Sequence, residues 1–110
     1  MIARVWRGYT TPANADAYER MLKPDLLPGL RHKPGFKGSF LFRRPLENEV
    51  EFMTVILWDS LESLIALTGQ DYETAVIPDE RKRVLSRWDQ KASHYETAAA
   101  CLWIEAIRDR

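Results

Sequence analysis

From Ile2 to Tyr9 the chain reads IARVWRGY, a run rich in β-branched and aromatic residues that predicts a strand. Thr11-Pro12 then supplies a helix N-cap with proline at the first helical position. In the segment that follows, Tyr18, Met21, Leu22 and Leu26 fall on one helical stripe. Pro24 has no amide hydrogen and crowds the preceding turn, which predicts that this helix ends or kinks near Leu22. Pro28-Gly29 and Pro34-Gly35 mark a short irregular link.

Period two returns at Phe36 to Arg44. Phe36, Gly38, Phe40 and Phe42 share one face, and Lys37, Ser39, Leu41 and Arg43 share the other. The polar PLENE turn and the run VEFMTVILW complete an antiparallel hairpin. Asp59 or Ser60 caps the next helix, with Glu62 placed to return a bond to Asp59. Leu61, Leu64, Ile65 and Thr68 form its inward stripe, and Gly69 stops it. Asp71 is placed to cap a short helix over YETAVI, closed by Pro78, and DERKRVLSRWDQ is expected to add a further helical segment with Val84, Leu85 and Trp88 inward. KASHYET, Lys91 to Thr97, is the candidate last strand.

Strand, helix, strand, strand, helix, strand is the α+β, ferredoxin-like split β-α-β order: a four-stranded antiparallel sheet with helices on one face. Residues 1–97 form that domain. Residues 98–110 are a C-terminal extension, expected to be helical because Ala99, Leu102, Trp103 and Ala106 recur at helical spacing. The half-strand Met53 to Trp58 is apolar on both faces, so the sheet needs cover on both sides. In so short a chain the economical second cover is another copy of the same sheet, which predicts a two-fold homodimer.

Composition narrows the function classes. Sixteen acidic side chains balance sixteen basic ones, so no overall field draws nucleic acid or an anionic membrane surface. A single cysteine cannot form an internal disulfide, and with two histidines it makes no zinc site. No apolar run approaches the roughly 20 residues that cross a bilayer, and the N-terminus lacks a signal-peptide core, so a soluble cytoplasmic protein is expected.

IARVWRG as first strand, KPGFKGSFLFRR leading into the second, the junction TVILWDSLESL, GQDYETAV after the helix and HYE in the last strand stand in a telling order and spacing. On these, the chain from Ile2 to Thr97 resembles the antibiotic biosynthesis monooxygenase family of small dimeric α/β barrels. The resemblance implies oxidation of a quinol or polycyclic phenol with dioxygen, without metal or flavin. Relatives in that superfamily also include haem-degrading enzymes and isomerases. The haem degraders carry an Asn on the first strand, a Trp within the helix after the junction and a His about ten residues later. Here the first strand has no Asn, and Leu67 and Ile77 stand at the approximate matching positions, so haem chemistry is disfavoured.

Such oxygenation needs an apolar pocket, a base for the phenolic proton and a donor or cation near the reduced oxygen. His94 is the base by residue type, against a hydrogen-bonded structural histidine. Tyr72 is the donor, against a core ring with its hydroxyl at the surface. Tyr18 and Tyr95 are weaker candidates. Trp6, Phe40 and Trp58 are aromatic walls, although in sequences of this kind the Trp-x-Ser junction makes Trp58 chiefly a packing residue. Arg4 shares a strand face with Trp6, and Arg7 lies opposite. Whichever points inward needs an acid, such as Glu51, or an anionic ligand. The cluster Arg81, Lys82, Arg83 and Arg87 reads as a solvated helix face, His32 as exposed, and Cys101 as a buried inert thiol. The alternatives to an oxygenase are a small-molecule-binding or purely structural homodimer, and an isomerase or cyclase of the same fold.

Overall fold

The computed structural model describes residues 1–26 and 29–102. Its elements run β1 (Ile2–Thr10), a 3-10 turn (Pro12–Asn14), α1 (Ala15–Leu26), β2 (Phe36–Pro45), β3 (Val50–Trp58), α2 (Leu61–Thr68), α3 (Asp79–Lys82), β4 (Leu85–Trp88) and β5 (Ser93–Glu96). All pairings are antiparallel, in the order β2-β3-β1-β4, with β5 also on β1. That is the ferredoxin-like arrangement expected, with one difference. The fourth position is divided: β4 pairs with Gly8 to Thr10 and β5 with Ile2 to Val5, giving five strands.

Register sorts the side chains. Arg4, Trp6, Gly8 and Thr10 of β1 share a face with Val50, Phe52, Thr54, Ile56 and Trp58 of β3. On that face Ala15, Tyr18, Leu22 and Leu26 of α1 join Val50, Phe52 and Leu85 in the buried core. Phe52 is 0% exposed and meets Tyr18 edge to face at 5.0 Å. The opposite face carries Val5, Phe40, Phe42, Met53, Val55 and Tyr95, with Phe42 52% and Tyr95 55% exposed.

Three helix expectations are corrected. First, α1 does not end near Leu22; it runs through Pro24 to Leu26. Breaking a helix with proline costs about 3 kcal/mol, but burying leucine returns roughly 1.5–3 kcal/mol, and both Leu22 and Leu26 are buried. The amide of Gly29 closes the end by donating to the Pro24 carbonyl at 2.9 Å, and the Ser39 hydroxyl donates to the Leu26 carbonyl. Second, YETAVI is not helical. Ala75 N donates to Gln90 O at 3.0 Å and Ala92 N to Glu73 O at 2.8 Å, so these backbone groups are committed to another segment. Third, helix covers only Asp79–Lys82 of DERKRVLSRWDQ, and Leu85–Trp88 is a strand. The buried edge of β1 at Gly8 to Thr10 needs backbone partners, and this requirement overrides local helix propensity.

The expected N-caps hold, while three smaller expectations do not. Thr11 caps the first helical turn, and Ser60 caps α2 by accepting from Ser63 N. Asp59 binds the Ser63 hydroxyl at 2.6 Å, which holds its carboxyl below the usual range; the bonding partner is Ser63 rather than Glu62. Cys101 is exposed rather than buried. Residues 98–102 are not helical, while Pro28, Trp103, Ala106 and the rest of the expected tail helix lie outside the described residues.

Gly35 and Gly69 both have positive φ, 85° and 91°. A Cβ at Gly69 meets nothing within 4 Å, whereas one at Gly35 would lie 2.5 Å from the Ser63 side chain. Gly69→Ala should therefore cost about 1–3 kcal/mol from backbone strain alone, and Gly35→Ala clearly more, as measured by urea denaturation. Equal losses would contradict this packing.

Candidate functional site

Between α1, the helix-side face of β1 and β3, and the segment 75–78 lies a cavity of about 200 Å³. β1 supplies Arg4 and Trp6, β3 supplies Thr54 and Ile56, and α1 supplies Tyr18, Leu22 and Leu26. Ala75 to Pro78 and Arg81 close the remaining side. The walls are mainly aliphatic and aromatic, because they are the unfilled margin of the core. Val76 stands at the lip, 89% exposed.

Arg4 is the polar centre. Its Nη1 donates to the Tyr72 carbonyl and to His94 Nε2, the latter at 3.2 Å. Arginine can only donate, so His94 Nε2 must accept and the ring proton sits on Nδ1. Both partners are neutral, and among the described residues no carboxylate pairs with Arg4. Burial lowers its pKa from the ordinary arginine value. Burial, then the nearby Arg4 charge, also lowers that of His94, against a smaller opposing pull from Glu73.

At the other end Arg81 pairs with Asp25 of α1, and its Nε is buried without a hydrogen-bond partner. Burial pushes the Tyr18 hydroxyl up to about 12, with Arg81 opposing. Tyr18 therefore keeps its proton and can serve as a donor but not as a base. The cavity combines apolar walls with excess positive charge, and among the described residues no carboxylate lines it.

The structure brings together Arg4, Trp6, His94 and Tyr72, but not in the roles that residue type suggests. Trp6 forms a wall, its indole nitrogen committed to the Asp89 carbonyl at 2.8 Å. His94 and Tyr72 are not cavity-lining residues. Their rings meet edge to face at 5.0 Å behind Arg4, and Tyr72 contributes a backbone carbonyl. Phe40 lies on the opposite face of the sheet, stacked on Phe42 at 5.6 Å. Trp58 is 1% exposed and packs edge-on against Phe36, as a junction residue should. Glu51 also lies on the far face and pairs with Arg44, while Arg7 is near Asp89 at 3.7 Å. The sequence pattern does not reveal the contribution of Ala75 to Pro78, because the segment reads as a helix. Arg81 reads as part of a solvated face, although its side chain is only 18% exposed. Among the described residues no three His, Cys, Asp or Glu side chains converge as metal ligands, and no helix is long and apolar enough to cross a membrane.

No family model and no curated protein matches the sequence. Solved structures do match its fold. A candidate antibiotic biosynthesis monooxygenase from Bacillus cereus superposes with a TM-score of 0.69 at 10% identity, covering 96% of this chain and 98% of that one. One from Deinococcus radiodurans gives 0.62 at 17%, covering 96% and 100%. The haem degrader MhuD from Mycobacterium tuberculosis, solved with two haems in its active site, gives 0.58 at 18%, covering 92% and 99%. The chain has the fold of the antibiotic biosynthesis monooxygenase structures.

The lowered pKa of His94 has a definite sign. The folded state favours the neutral ring, so this stabilisation is complete above the ordinary value of 6.5 and is lost as pH falls below it, down through the folded value. Thermal midpoints should drop on acidification from pH 7 toward 5, and less steeply in His94→Gln, whose amide oxygen can still accept from Arg4. Parallel slopes would mean that His94 is unlinked to the Arg4 cluster.

Proposed function

We propose that this protein is a monooxygenase-like enzyme that oxidises a compact phenol or quinol with dioxygen, acting as a homodimer. One observation carries the catalytic part: an apolar cavity built around a guanidinium that has only neutral partners. Its size, about 200 Å³, exceeds the ~150 Å³ of an engineered cavity that takes benzene and falls short of the roughly 300 Å³ at which drug-sized pockets begin. One or two rings fit better than a larger polycycle. A phenol hydroxyl directed at Arg4 would ionise more readily, because the cation stabilises the phenolate in a poorly solvated site. The proton leaves to water, and His94 acts through Arg4. For a hydroquinone, substrate plus dioxygen gives a hydroxyquinone and water. The ring loses four electrons, keeps one oxygen atom, and the other departs as water.

Haem, as held by MhuD, does not suit this lining. Ile77 has no ligating atom, no imidazole or thiolate lines the cavity among the described residues, and Tyr18 is held protonated. A second reading, a binding protein without turnover, is favoured by the engagement of His94 Nε2 with Arg4, which leaves no free base at the cavity.

The dimer reading is supported by the face opposite the helices, where Phe42 and Tyr95 stand more than half exposed beside Phe40, Met53 and Val55. A second copy laid across it by a two-fold axis would remove this apolar surface from water. Sedimentation should show a dimer, and Val55→Glu should convert it to a folded monomer. A wild-type monomer at micromolar concentration would overturn the assembly.

Oxygen-electrode assays across a panel of hydroquinones test turnover. We expect uptake with one- and two-ring members, and Ile77→Trp, which fills the cavity wall, should cut kcat/KM by about tenfold or more. No uptake with any member would leave the binding reading standing.

A further inference from the structure

We infer that the ligand of this cavity carries a permanent negative charge, an aromatic carboxylate seated on Arg4. The inference rests on the reading of the cavity as the substrate site and names the substrate class. Both hydrogen bonds of Arg4 leave from Nη1. Nε and Nη2 have no partner among the described residues. They are also not among the buried unpartnered atoms, unlike Nε of Arg7 and of Arg81, so they remain reachable. A guanidinium edge with two parallel donors matches the two oxygens of a carboxylate.

The resting charge balance points the same way. Tyr72 O and His94 Nε2 orient Arg4 without neutralising it, and Glu51, the acid on the neighbouring strand, lies across the sheet on Arg44. The charged groups around the cluster are Glu73 beside His94, Glu96 on the same face of β5, and Arg81 with its Asp25 partner at the far end; none of these acids pairs with Arg4. A simple phenol, with an ionisation near that of tyrosine at about 10, arrives neutral at pH 7 and pairs with the cation only after losing its proton, whereas a carboxyl near 4 arrives already ionised. The cavity walls accept the ring.

The test compares 2,5-dihydroxybenzoate with its neutral amide, titrated anaerobically into the full chain by calorimetry at pH 7.5. The acid should bind about tenfold or more tightly. Arg4→Gln should abolish this preference, weakening the acid far more than the amide, and Arg4→Lys should retain only part of it, because an ammonium lacks the two-point fork. If Arg4→Gln fails to fold, Arg4→Lys together with weakening of acid binding in added salt decides the same question. Equal binding of acid and amide, no binding of either, or a preference that survives Arg4→Gln would overturn the inference. Oxygen uptake separates the two levels. Turnover of plain hydroquinone without any anion preference sinks this inference and keeps the oxygenase, while anion preference with no uptake of either compound does the reverse.

Discussion

Everything in this fold depends on the backbone of β1 being paired on both edges. One edge is taken by β3 along its whole length, Ile2 with Trp58 through Thr10 with Val50. The other is shared by β4 and β5, with Asp89 stitching the gap: its amide donates to the Arg7 carbonyl at 2.9 Å and its carbonyl accepts the Trp6 indole. A buried amide or carbonyl left unpaired costs roughly 1–3 kcal/mol, so a nine-residue central strand organises whatever chain lies nearby. That demand makes a strand of Leu85–Trp88 and places His94 opposite Arg4.

How much is legible in the sequence follows from where the forces lie. β2, β3 and α2 are readable because their signals are local: period-two alternation, a Ser cap and a glycine stop, although a bulge at Lys37 turns Phe36 to the face opposite Phe40 and Phe42. The placing of Arg4 and Trp6 on one face, with Arg7 on the other, also follows from alternation alone. α1 past Pro24, the strand β4 and the extended course of Tyr72 to Ile77 are not readable. In each, long-range burial or pairing outweighs a local preference. At the site, residue types are easier to pick out than roles. Histidine and tyrosine suggest acid-base work, yet both stand against an arginine, His94 through its register with β1 and Tyr72 through its backbone carbonyl.

The site is therefore organised around charge. Arg43, Arg44 and Arg87 each have acidic partners at the surface, with Glu19 and Asp16, Glu51, and Glu49 respectively. Arg4 is treated differently: half-buried, aimed by a carbonyl and a neutral imidazole, and without a counter-ion among the described residues of an apolar recess. Holding a desolvated cation this way costs folding energy, and the guanidinium held at Nη1 keeps Nε and Nη2 without a partner among the described residues.

The divided fourth position has a further effect, on self-association through strand edges. An exposed sheet edge is a template on which like chains polymerise. Here the β4/β5 edge consists of two four-residue pieces, too short and interrupted to seed an in-register ladder. The β2 edge is blunted differently, by a bulge at the exposed Lys37, by Arg43 drawn over to the acids of α1, and by Pro45, which has no amide to offer. Both rims are thus poor templates for strand-to-strand growth of like chains.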